Sequence, residues 1–126
     1  MSARTHHDRS LWTLVTAPTA WAAHFLLSYV VAAIYCAKAP GPAIDLAPVR
    51  LWVLGITVVA LAVIAATGIA ANRRSGPGLL FELPHEEDTA SHRRYFMGYS
   101  TMLLSGLSFV ATLYVALPIL FIETCR

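Results

Sequence analysis

Residues 11–36, from Leu11 to Cys36, read LWTLVTAPTAWAAHFLLSYVVAAIYC, without one Asp, Glu, Lys or Arg. A helix rises ~1.5 Å per residue, so a run of this length crosses the ~30 Å hydrocarbon core of a bilayer. The stretch predicts a first transmembrane helix. Arg4 and Arg9 precede it, which raises a secretory signal as the rival reading, with Ala37-Lys38-Ala39 as a superficial cleavage site. The apolar run exceeds the ~7–15 residues of a signal core, His24 interrupts it, and Pro40 follows the would-be cut, so an uncleaved span is expected. Tyr35 also stands before Cys36 where a lipoprotein cysteine would follow a small residue.

Working outward, residues 51–71 (LWVLGITVVALAVIAATGIAA) and 95–122 (YFMGYSTMLLSGLSFVATLYVALPILFI) are two more runs without formal charge. Backbone groups in lipid must find partners inside the segment, which makes helices the spanning form for runs this long. Pro18 and Pro118 should each free a carbonyl and bend its helix. The expected fold is therefore all-α: one membrane domain over 1–126, a three-helix transmembrane bundle with a loop at 72–94. A chain 57% hydrophobic and 13% charged, with a mean hydropathy of +0.62, agrees with that class.

Lys and Arg bias predicts orientation, because short loops rich in them stay in the cytoplasm. Arg4, Arg9, Arg73, Arg74, Arg93 and Arg94 fall on one side, and Lys38, Arg50 and Arg126 on the other. The bias predicts a cytoplasmic N-terminus and a periplasmic C-terminus. The link from Ala37 to Arg50, with Pro40, Gly41, Pro42 and Pro48, reads as stiff and extended. The loop after helix two carries an apolar Leu79-Leu80-Phe81 patch and an acidic Glu86-Glu87-Asp88 stretch, which reads as a solvated segment with a lipid-dipping end.

His24 is the titratable residue in the middle of a span, hence the default site. Trp21, His24, Ser28, Val31 and Tyr35 share its helical face, and Gly98, Thr101, Ser105, Ser108 and Thr112 form a matching small or hydroxylated row on helix three. Depth counting from the cytoplasmic ends of helices one and three and from the two cysteines places Ser108 or Thr112 level with His24, as its expected hydrogen-bond partner. A role toward a partner subunit's cofactor or water chain, or as an axial haem or copper ligand, remains open. Cys36 and Cys125 fall at the same end of helices one and three, which suits a disulfide, inert thiols or a Cu(I) pair. Met97 and Met102 lie toward the opposite end, and His6, His7, His85 and His92 form no spaced ligand set, so no metal centre is predicted.

No GxSxG, HExxH, Walker or GxGxxG pattern is present, no basic tract suggests nucleic acid, and no internal repeat occurs. Three helices leave little room for a private substrate cavity. A chain that is not an enzyme on its own is expected. A transporter lacks an intramembrane carboxylate or Lys to couple an ion.

The string Pro18-Thr19-Ala20-Trp21-Ala22-Ala23-His24-Phe25-Leu26-Leu27-Ser28-Tyr29, followed by Cys36, with a last helix opening at Phe96 and closing Leu117-Pro118 before Cys125, resembles small three-helix proteobacterial proteins encoded beside subunits and assembly factors of haem-copper cytochrome c oxidases. The resemblance implies a non-catalytic accessory subunit or assembly partner of that respiratory complex, in the bacterial inner membrane. It also implies haem and copper in the partner complex, with no cofactor of this chain's own. The alternative is a small membrane haem or copper carrier using His24 or Cys36 and Cys125.

Overall fold

The computed structural model describes residues 2–38, 41, 45–75, 89–123 and 125. They form α1 (Ser2–Lys38), α2 (Ala47–Ser75) and α3 (Thr89–Phe121), each long and apolar enough to cross a membrane. The protein is a multi-pass, all-helical membrane protein. Patches 79–81 and 86–88, and His85, lie outside the described residues, as do the side chains of His6, His7 and His92.

All three helices overrun the apolar stretches that predict them. The backbone ladder does not end where hydrophobicity ends: polar residues continue it into the interface, as Ser2–Ser10 do for α1. Pro48 and Arg50, expected in an extended link, instead belong to the first turns of α2. Proline costs nothing there, because a first-turn N–H has no intrahelical partner. The Ala47 N–H donates to Asp45 Oδ1 at 2.9 Å, so Asp45 starts the helix.

α1 and α3 run parallel, α2 runs antiparallel to both, and every pair of helices is in contact, α2 with α3 most extensively. The bundle is sorted by size more than by polarity. Inside lie Ala60, Thr67 and Ala71 of α2 against Thr101, Ser105 and Ser108 of α3, whereas Leu51, Val58, Leu103 and Leu107 point outward. Lipid tails are as apolar as leucine, so burial of large side chains gives no drive to associate; close approach of small residues and shared hydrogen bonds do. Trp12, 75% exposed near one end, and Trp52, 69% exposed near the other, fit the two membrane interfaces where amphipathic rings settle.

Gly68 marks a close approach of α2 to α3. A Cβ there would meet Ser105 Cβ at 3.3 Å. Gly68→Leu is expected to push α2 from α3 and cost about 1–3 kcal/mol by overpacking, while Gly68→Ala needs a shift of only a few tenths of an ångström. Unfolding in bicelles checks this; equal stability of the two variants would show that the helices are not held at this point.

The larger apolar core sits at the cysteine end, where Leu46, Val49 and Val53 are buried under Val31, Ala32, Tyr35, Cys36 and Ile119. The Arg50 guanidinium spans this end, its Nε donating to the Ile119 carbonyl at 3.2 Å and a terminal nitrogen to the Ile122 carbonyl at 2.9 Å. The Ile119 carbonyl lies in the last turn of α3 and the Ile122 carbonyl just past its end, both beyond Pro118, where helix carbonyls need outside donors and the dipole favours a cation. Arg50 therefore ties α2 to α3, in addition to any bearing on orientation.

Candidate functional site: the intramembrane histidine

The inward stripe of α1 repeats at three and four residues through Ala17, Trp21, His24, Ser28, Val31 and Tyr35. Among the described side chains of α1 only Ala17 and His24 are fully buried, His24 to 1% exposure. This helix is the most lightly held of the three. Trp21 extends beside Phe25, their ring centroids 6.5 Å apart and the planes near parallel.

His24 Nε2 lies 2.9 Å from Thr57 Oγ1, on α2. The partner expected on α3, Ser108 or Thr112, is thus replaced by a threonine that depth counting overlooked. Ser108 and Thr112 are buried in the same bundle, but the Thr112 hydroxyl donates to the Ser108 carbonyl at 2.8 Å. The reason is connectivity. A short link makes α1 and α2 an antiparallel hairpin, and sequential helices are the default neighbours. Contacts between Tyr35 and Asp45 at the turn and between His24 and Thr57 lower down belong to one register. Thr57 was legible as the hydroxylated member of the α2 stripe Val53, Thr57, Ala60, Ile64.

The hydrogen bonding assigns the tautomer. The Thr57 hydroxyl has one proton and donates it to the Val53 carbonyl at 2.6 Å, the usual return bond of a helical threonine. Its oxygen can then only accept from His24, so Nε2 carries the ring proton and Nδ1 carries a lone pair.

At the cysteine end, Cys36 and Cys125 sit at disulfide distance, with Sγ–Sγ 2.07 Å and Cα–Cα 5.6 Å. Of the three roles open to the thiols, the geometry matches the disulfide. His24 Nε2 is engaged by Thr57, the two sulfurs are joined to each other, and no group of three potential ligands occurs among the described residues.

Two shallow depressions lie on the outside of the bundle. One, of about 640 Å³, lies between α1 and α2 and is lined by Leu27, Leu51, Trp52, Gly55, Ile56 and Val59 with Pro48. The other, about 290 Å³, follows α1 alone along Trp12, Val15, Thr16, Thr19, Ala20 and Ala23. The Thr16 and Thr19 hydroxyls there donate to the Trp12 and Val15 carbonyls at 2.6 and 2.8 Å, leaving a smooth face. No protein-family model, curated protein or solved structure matches this chain.

Proposed function

We propose that the chain is a non-catalytic accessory subunit or assembly partner of a respiratory haem-copper cytochrome c oxidase in a bacterial inner membrane. Its N-terminus is cytoplasmic and its C-terminus periplasmic in this reading. The observation that carries the accessory role is the outer face of α1. The helix that commits least to its own bundle presents Thr16, Thr19, Ala20 and Ala23 beside Trp12 and Val15, small residues whose threonine hydroxyls are internally satisfied, a surface a transmembrane helix can approach closely. The oxidase as partner rests on the resemblance across Pro18 to Tyr29, Cys36 and Cys125. The orientation rests on the arginine bias, and a disulfide at the cysteine end suits the oxidising side of the membrane.

Gentle solubilisation of the native membrane and recovery through this chain is expected to bring down oxidase subunits. Ala23→Leu, which fills the α1 face from an exposed position, should reduce that recovery. Recovery without oxidase subunits ends the proposal. A haem or copper carrier would instead yield purified protein with a Soret band or stoichiometric copper.

A further inference from the structure

Three successive members of the α1 stripe each bury a polar atom that has no hydrogen-bond partner: Trp21 Nε1, His24 Nδ1 and Ser28 Oγ. The first and last lie seven positions apart, roughly 10 Å along the axis. A buried polar atom left unpaired is destabilising, and lipid offers no substitute partner.

The three atoms are chemically complementary. With the proton of His24 on Nε2, Nδ1 only accepts; the indole N–H of Trp21, one turn earlier, only donates; the Ser28 hydroxyl, one turn later, does both. Side chains on a helix lean toward its N-terminus, so the His24 ring overlies the Trp21 turn and the Ser28 hydroxyl overlies the His24 turn. A ligand answering this set accepts from Trp21, donates to His24, is neutral, and is small enough for a seam closed to the exterior. An anion would oppose the Nδ1 lone pair, and a cation would oppose the indole N–H.

We infer that the seam between α1 and the other two helices is a water-binding site, in which one water bridges Trp21 Nε1–H and His24 Nδ1 and a further water links it to Ser28 Oγ. Internal water characteristically makes two to four such bonds. Entry requires α1 to shift, and α1 is the helix with the least burial. The site converts His24 from a histidine with one satisfied nitrogen into a hydrated one at mid-span. It stands independently of the oxidase reading.

The test uses the full chain, 15N-labelled, in phosphatidylcholine nanodiscs. NMR should find the His24 ring protonated on Nε2. Magnetisation should pass from water to the Trp21 indole proton but not to the methyls of Leu26, which is 59% exposed to lipid at the same depth. Ser28→Ala, a small change on a half-buried position, should lower the transfer to Trp21, and His24→Phe should abolish it. Protonation on Nδ1, no transfer to Trp21, equal transfer to Trp21 and Leu26, or transfer unaffected by Ser28→Ala would each overturn the inference.

Discussion

Removal of the Cys36–Cys125 bridge, by reduction or in the C36S/C125S double variant, is expected to release α1 from the bundle while all three helices stay inserted. α1 has few other attachments: Ala17 and His24 are its fully buried side chains among those described, and its exposed residues already face lipid. The bridge joins residues 89 apart in sequence. Loop-closure entropy for such a span is worth about 3–5 kcal/mol in a chain that unfolds into water. The value in a bilayer is smaller, because unfolded transmembrane helices remain inserted and already near one another. The readout is the distance between spin labels on α1 and α3 near Trp12 and Phe96, with and without reductant. One narrow distance that reductant leaves unchanged would show that packing alone holds α1.

The second large effect is expected from Thr57→Val, which preserves shape and removes one oxygen. His24 Nε2–H then faces a methyl group in place of its acceptor, at a cost of about 1–3 kcal/mol for the unpaired donor. Thr57→Ser retains the acceptor and should stay near the parent stability. Membrane hydrogen bonds average only ~0.6 kcal/mol where the freed group finds another partner, so the size of the Thr57→Val loss reports whether His24 can turn elsewhere. Unfolding of both variants in the same bicelles makes the comparison. If the two variants are equally stable, the hydrogen bond contributes nothing and His24 is held by packing.

Legibility differed by feature, for physical reasons. Charge-free runs read directly as spans, because lipid penalises every charge and every unpaired backbone group in the same way wherever it stands. The ends of the helices were less visible: the N-terminal polar segment and Pro48 lie outside the apolar runs yet continue helical hydrogen bonding. The small-residue row on α3 could be read from its spacing, and Thr101, Ser105, Ser108 and Thr112 are all buried. Which helix that row serves could not be read that way. Arg50 was counted as a loop charge because its role depends on carbonyls about seventy positions away.

The amino-acid sequence by itself determined that three apolar runs become three transmembrane helices, and that two cysteines fall at one end and one histidine at mid-span. Those follow from hydropathy and helical rise, which are local. Only the tertiary structure decided that Thr57 rather than Ser108 or Thr112 meets His24, which ring nitrogen bears the proton, that the cysteines come within bonding distance, and that α1 is the lightly held helix. Each of these depends on the rotation and register of the helices. A narrow row of small or hydroxylated residues tells which side turns inward but not which helix it meets, so the choice passes to close contacts between small residues and to a few hydrogen bonds between partners distant in the chain.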